Sequence, residues 1–102
     1  HPRVEAVRYP GLESDPSHPL AARQMRSFGF LLGVTFVDVA AARAFLDGTT
    51  LVTEATSFGG VHTTAEQRTR WGGDDVPERF VRLSAGIEAA ADLVADIERA
   101  LA

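Results

Sequence analysis

The most constraining stretch of this sequence is ERFVRLSAGIE, residues 78–88. Apolar side chains flank Arg82, and a serine and a glycine follow them, which predicts a short strand that ends in a turn before the final helix. A guanidinium inside an apolar strand is costly to bury unless a carboxylate or a phosphate meets it. Arg82 is therefore either a solvent-facing or salt-bridged arginine of an edge strand, or a residue that binds an anion.

Composition limits the classes of protein to which the chain can belong. Its 102 residues are enough for one domain with a modest core. The net charge of −4 gives no electrostatic reason to expect nucleic acid or an anionic membrane as a partner. No apolar run approaches the roughly 20 residues of a membrane span, and no signal peptide is visible. These features are compatible with a cytoplasmic protein.

Several reactive side chains are absent or badly spaced. There is no cysteine, and all ten basic residues are arginine, so a lysine Schiff base would have to come from another part of a protein. The chain begins at His1 without a methionine, which predicts a piece of a longer protein. The spacing of His1, His18 and His62 does not match metal ligands, so no metal site is predicted.

Periodicity and turn residues predict an α+β fold. Four strands are expected, at residues 4–9, 30–36 and 51–55 and around Arg82. Helices are expected from Pro19, after a capping Asp38, and from about Glu88 to the end, where Asp92, Asp96 and Arg99 are predicted to face water. Residues 62–78 are expected to be irregular or partly helical. This order predicts a small, mainly antiparallel sheet with helices packed on one face.

The segment TSFGG, residues 56–60, is the other candidate for function. Its paired glycines would let the backbone approach a ligand closely, although a hairpin turn would use the same residues. If neighbouring strands bring this segment to Arg82, then the Ser57 hydroxyl, backbone amides and the guanidinium could converge on one small carboxylate.

Five motifs, spread in order along the whole chain, resemble elements of one family. They are HPRVEAVRYPGL, ARQM followed by FG, SFGGV, RLSAGIE and DLVADIERAL. Together they resemble the C-terminal domain of the Cys/Met-metabolism, or trans-sulfuration, family of enzymes that depend on pyridoxal 5'-phosphate (PLP), in particular its cystathionine γ-lyases. The fold that this resemblance implies is the α+β C-terminal domain of a fold-type I PLP enzyme.

The resemblance also implies a division of labour. Residues 1–102 would be the C-terminal small domain, and a large N-terminal domain outside this chain would hold PLP, which serves as an electron sink for loss of the sulfur-bearing group, and the catalytic lysine. The chain alone would then be inactive, with no catalytic residue and no cofactor-binding residue of its own. By the motif match, Arg82 would bind the substrate α-carboxylate in a bidentate fork, and Ser57 would lie beside that carboxylate and the cofactor lysine. The implied partners are its own N-terminal domain, an amino-acid substrate and, at full length, the other subunits of a homotetramer.

Substrate choice is less constrained than the cofactor. Thr56 stands where many cystathionine γ-lyases and γ-synthases have a glutamate that contacts the distal part of the substrate, which makes Thr56 a further candidate for substrate binding. His62 and Thr63 replace the family's usual glutamate and serine. The resemblance favours a C–S lyase like cystathionine γ-lyase. A cystathionine γ-synthase, a methionine γ-lyase or a related γ-elimination or γ-replacement enzyme is the alternative.

A free-standing α+β module that binds an amino acid for regulation is an alternative of a different class. An upstream domain containing a lysine, in the parent reading frame, would distinguish the enzyme from this module. The exact substrate and the direction of the reaction stay open at this point.

Overall fold

The computed structural model describes all residues, 1–102. Its strands are β1 (Val4–Arg8), β2 (Leu31–Phe36), β3 (Thr53–Glu54), β4 (Thr64–Gln67) and β5 (Phe80–Ser84). Its α-helices are α1 (His18–Gln24), α2 (Val39–Gly48) and α3 (Ala90–Leu101), and a short 3₁₀ helix, Arg68–Trp71, follows β4.

The strands form one sheet in the order β1-β2-β5-β4-β3. Three of the four neighbouring pairs are antiparallel, and only β3 and β4 run parallel. The predicted α+β class with a mainly antiparallel sheet is therefore confirmed. The arginine strand β5 lies in the centre of the sheet, so the interpretation of Arg82 as an edge-strand residue is wrong.

Helices α2 and α3 pack against each other and cover one face of the sheet. Asp38 caps α2 as predicted, because its side chain accepts a hydrogen bond of 2.7 Å from the backbone N–H of Ala41. The core between helix and sheet includes Phe36 and Phe45, whose ring centroids lie 5.4 Å apart. Burying side chains of this size stabilises the fold by about 1.5–3 kcal/mol each. Val81 and Leu83 of β5 belong to the same core, so this packing holds β5 in place.

The structure has one strand that the sequence did not predict, β4, and β3 is shorter than predicted. β4 lies within the segment that was expected to be irregular, and it pairs with β5 over its whole length. Its residues are Thr, Ala, Glu and Gln, of which the first three are buried, so the apolar alternation that marks most half-buried strands is missing. β3 has only two residues instead of five, because Leu51 and Val52 belong to the turn that follows α2.

Asp96 is buried, which contradicts the prediction that it faces water. Its carboxylate accepts hydrogen bonds from the backbone N–H of Thr50 and of Leu51, both at 2.9 Å, from the Thr50 hydroxyl and from Arg99. The packing of α3 against α2 explains the difference, because it places Asp96 over the turn that follows α2, where the backbone N–H groups of Thr50 and Leu51 need an acceptor.

The accessible surface is larger than expected for a chain of this length, and several large apolar side chains are exposed. The accessible surface is 6270 Å², whereas a free-standing protein of this length is expected to expose roughly 5,600 Å². Phe58, Val61 and Ile87 are more than half exposed, at 57%, 68% and 80%, and Phe30 is 42% exposed. None of the helices is long and apolar enough to cross a membrane.

Candidate functional site

Residues 56–60, here the TSFGG loop, are fastened to the end of β5. The buried Ser84 hydroxyl accepts a hydrogen bond of 2.9 Å from the Gly59 N–H. The carbonyl of Ser57 accepts one of 2.8 Å from the Thr64 hydroxyl on β4, and the Ile87 N–H donates to the carbonyl of Val61. The loop is therefore held at the ends of the neighbouring strands β4 and β5.

Two glycines make this close approach possible. Gly59 has a φ of +81°, a conformation that L side chains rarely adopt. A Cβ on Gly86 would lie 2.3 Å from the carbonyl oxygen of Val61, which is an impossible contact without movement of the loop. The turn that follows β5 and the residue that follows the TSFGG loop are thus in direct backbone contact.

Arg82 projects from the middle of β5 and is held at one corner of its guanidinium. Its Nη2 donates to the carbonyl oxygen of Thr56 at 2.5 Å and to the Oε2 of Glu66 at 3.3 Å. The guanidinium carbon lies 4.8 Å from the ring centroid of Phe58, within the range of a cation–π contact. The side chain is 22% exposed, and its Nε and Nη1 take no part in these bonds. Within the chain, the Arg82 guanidinium therefore makes its hydrogen bonds through Nη2 alone.

The carboxylate contact of Arg82 is longer than the contacts of its neighbour Arg68. Glu66, whose side chain is 3% exposed, is shared with Arg68, which donates to the same Oε2 at 2.7 Å. Arg68 also pairs with Asp74 at 2.5 Å, and this hydrogen bond lowers the pKa of Asp74. The hydrogen bonds that Arg68 donates to Asp74 and, second, to Glu66 raise the pKa of Arg68. Arg68 thus contacts two carboxylates, whereas Arg82 has a longer contact with one shared oxygen.

The structure brings the sequence-predicted residues together. Thr56 contacts Arg82 through its backbone carbonyl, and its side chain is exposed. Ser57 is the next residue along the loop and is also exposed. Their roles toward a substrate stay predictions.

Glu66 and Phe58 were missed by sequence reasoning. Glu66 is found beside Arg82 only when β4 is recognised, since the two residues face each other across the β4–β5 pair. Phe58 carries a signal of its own, an aromatic residue next to a glycine pair, but that signal says nothing about what the ring covers.

The whole chain, residues 1–102, matches the family model described as Cys/Met metabolism PLP-dependent enzyme. The chain belongs to this family. The shared fold and the ordered motifs of the sequence agree with it, and the resemblance stated above is confirmed.

The chain is similar to proteins of this family that are named as different enzymes. It is 55% identical over 100 residues to a putative cystathionine gamma-lyase of Streptomyces coelicolor, with 98% of this chain and 26% of the relative covered. It is 42% identical over 109 residues to a cystathionine gamma-synthase of Mycobacterium leprae, covering 99% and 28%. The crystal structure of apo CalE6, a methionine gamma lyase from Micromonospora echinospora, superposes with a TM-score of 0.88 at 39% identity, covering 99% and 27%. The chain thus spans about a quarter of the length of these proteins.

Membership of the Cys/Met-metabolism family makes PLP the cofactor of the full enzyme, but the residues of this chain do not form a PLP site. The chain has no lysine for covalent attachment. Two backbone groups suited to a phosphate are already occupied, since the Gly59 N–H donates to Ser84 and the N-terminus of α2 is capped by Asp38. No group of three or more His, Asp or Glu side chains lies together in a way that would hold a metal ion. The polar group that this family member places beside the TSFGG loop is the Arg82 guanidinium, bonded to Glu66 and to the Thr56 carbonyl.

Proposed function

We propose that residues 1–102 form the C-terminal small domain of a PLP-dependent C–S lyase of sulfur amino-acid metabolism, similar to cystathionine γ-lyase. Its task is to bind the α-carboxylate of the substrate through Arg82. The observation that carries this proposal is the state of that guanidinium, which lies in the central strand, is fixed at one nitrogen and keeps Nε and Nη1 for a ligand.

Three observations support the assignment to a domain of a larger enzyme. The chain spans only about a quarter of its relatives' length. It has no lysine, although the family depends on PLP. Apolar side chains are exposed next to the candidate site, including Phe58 and Val61, and a large N-terminal domain would cover them. By this proposal the chain alone is inactive, and the complete enzyme acts as a homotetramer.

The choice of a lyase rests on degree of similarity. The identity to the putative cystathionine gamma-lyase is 55%, against 42% to the gamma-synthase. A γ-synthase or a methionine γ-lyase is the second candidate, and of these two the neutral Thr56 favours the methionine γ-lyase, because methionine has no distal charge.

The residues of this chain would act by binding and orientation. Arg82 would donate from Nε and Nη1 to the two carboxylate oxygens, and Phe58 would shield one face of the guanidinium from water, which strengthens the ion pair. The exposed hydroxyl of Ser57 would donate to the same carboxylate, and Thr56 would face the distal part of the substrate. A fixed carboxylate orients the rest of an amino acid and so raises the population of reactive geometries.

The test is made in the full-length enzyme with Arg82→Ala and Arg82→Lys. Loss of the guanidinium leaves the substrate carboxylate desolvated and unpaired, which should cost about 2–5 kcal/mol in kcat/KM for every amino-acid substrate. Arg82→Lys should recover only part of this loss, because an ammonium cannot make a planar two-point contact.

The matched control is Arg43→Ala, which removes an arginine on α2 that is also paired with carboxylates, Asp47 and Glu54. It should leave kcat/KM within a factor of about two, as expected for a surface ion pair. Wild-type kinetics in Arg82→Ala, with an intact fold by circular dichroism, would reduce Arg82 to a cross-strand salt bridge and contradict the proposal.

A further inference from the structure

We infer that Glu66 is a positioning residue for substrate recognition: its buried carboxylate fixes one corner of the Arg82 guanidinium, so that the remaining donors face the substrate α-carboxylate. The inference rests on the proposed role of Arg82 and extends it to a residue that does not itself touch the substrate.

The position of Glu66 is unusual for an acidic residue. It lies on β4 directly opposite Arg82 on β5, and only 2% of its surface is exposed. A buried carboxylate is retained only when it is paired and hydrogen-bonded. Glu66 meets this condition with three donors, because Trp71 Nε1 bonds to its Oε1, while Arg68 and Arg82 bond to its Oε2. Every partner is a donor, and the two carboxylate oxygens accept from all of them.

A buried acid beside Arg82 could compete with the substrate for the guanidinium, but the distances limit this competition. Arg68 lies 2.7 Å from the shared oxygen and Arg82 lies 3.3 Å from it, so the stronger bond goes to Arg68. The contact with Arg82 uses Nη2 alone, which is also the nitrogen that the Thr56 carbonyl holds. Glu66 and Thr56 therefore anchor one corner of a long, flexible side chain and leave Nε and Nη1 for the ligand. An arginine that is ordered before binding loses less conformational entropy when the carboxylate arrives.

Glu66→Gln is the decisive variant because it keeps the shape and removes one acceptor. A glutamine side chain offers a single carbonyl oxygen, and its amide nitrogen is a donor. The amide NH₂ of the glutamine would then face another donor, either Trp71 or the pair Arg68 and Arg82. Two donors cannot bond to each other, so the network must rearrange. The substitution should release Arg82 from its fixed position without creating a cavity.

The experiment measures binding in the full-length enzyme rather than activity alone. Dissociation constants are determined by calorimetry for a non-reacting amino acid and for the amine with the same side chain but no carboxylate. Glu66→Gln should weaken the amino acid about 10- to 100-fold, the range of a hydrogen bond to a charged group, and should leave the amine within about twofold. In an Arg82→Ala background the same substitution should add little, because the two residues act as one unit.

The matched control is Asp96→Asn on α3. It also neutralises a buried carboxylate that is paired with an arginine, yet it lies away from Arg82, so it should lower the melting temperature without changing the ratio of the two dissociation constants. If Glu66→Gln yields no soluble enzyme, Glu66→Asp replaces it, because aspartate keeps the charge. Glu66→Asp should weaken binding of the amino acid less than Glu66→Gln and should leave binding of the amine unchanged.

Two results would separate the possible failures. If Glu66→Gln weakens the amine as much as the amino acid, or if its effect adds fully to that of Arg82→Ala, Glu66 is structural only and the inference is wrong. If Arg82→Ala itself leaves the affinity for the amino acid unchanged, the proposed function fails and Glu66 has no site to position.

Discussion

Asp96 is the residue whose replacement tests the packing of α3 most sharply. Its carboxylate accepts from the N–H of Leu51, from the N–H and hydroxyl of Thr50 and from Arg99. Burial raises the pKa of this carboxyl, but these hydrogen bonds outweigh burial and lower the pKa from its ordinary 3.8 to about 2. We predict that Asp96→Asn destabilises the domain and makes its free energy of unfolding less dependent on pH below about 4.

The size of this destabilisation can be worked out from the pKa shift and from the hydrogen bonds that cause it. A pKa that falls from 3.8 to about 2 on folding contributes about 2 kcal/mol at neutral pH. Hydrogen bonds to a charged group contribute about 1.5–3 kcal/mol. The side chain is 4% exposed, so solvent screening does not greatly reduce either figure. Because the folded pKa is the lower one, the stabilisation is fully present above the unfolded pKa and is lost as the pH falls from about 4 to about 2.

The assay compares wild type with Asp96→Asn by urea unfolding at several pH values and by amide hydrogen exchange of Thr50 and Leu51. At pH 7 the variant should be less stable by about 2 kcal/mol and should exchange these amides about 30-fold faster. The stability difference should shrink as the pH approaches 2. A difference that is absent at pH 7, or that stays constant down to pH 2, would refute this reasoning.

Two further predictions concern the TSFGG loop. Thr56→Glu should improve kcat/KM for cystathionine relative to a substrate without a distal charge by about 1–2 kcal/mol, the scale of a partly exposed charged hydrogen bond; specificity constants for both substrates check this, and an unchanged ratio would show that residue 56 does not contact the distal group. Gly86→Ala should cost about 1–3 kcal/mol by overpacking against the Val61 carbonyl. Gly73→Ala, where a Cβ meets open space, should shift the melting temperature little, and equal shifts in the two variants would contradict the close contact.

Local signals predicted most of the fold. Asp38 marks the start of α2 because a carboxylate at that position bonds to a free N–H of the first turn. The central β5 was recognised from its apolar residues on both sides of Arg82. β4 could not be found in this way, since its buried side chains include Thr64 and Glu66, and their burial depends on partners that lie far away in the sequence.

The candidate site was only half predictable for the same reason. The sequence identified Arg82 and the TSFGG loop, because an arginine in an apolar strand and a glycine pair are unusual by themselves. Glu66 and Asp96 are ordinary acidic residues in polar segments, and the pattern of Asp96 with Asp92 indicated a solvated helix face. Both became buried because tertiary packing supplied donors, Arg68 and Trp71 for Glu66 and the turn after α2 for Asp96.

The most direct test of the central claim is a crystal structure of the full-length enzyme with a non-reacting amino acid bound. The α-carboxylate should lie within about 2.7–3.2 Å of Nε or Nη1 of Arg82, while Nη2 keeps its contacts with Glu66 and the Thr56 carbonyl. A carboxylate held by other residues, with Arg82 still bonded only to Glu66 and Thr56, would contradict the claim that this domain recognises the substrate through Arg82.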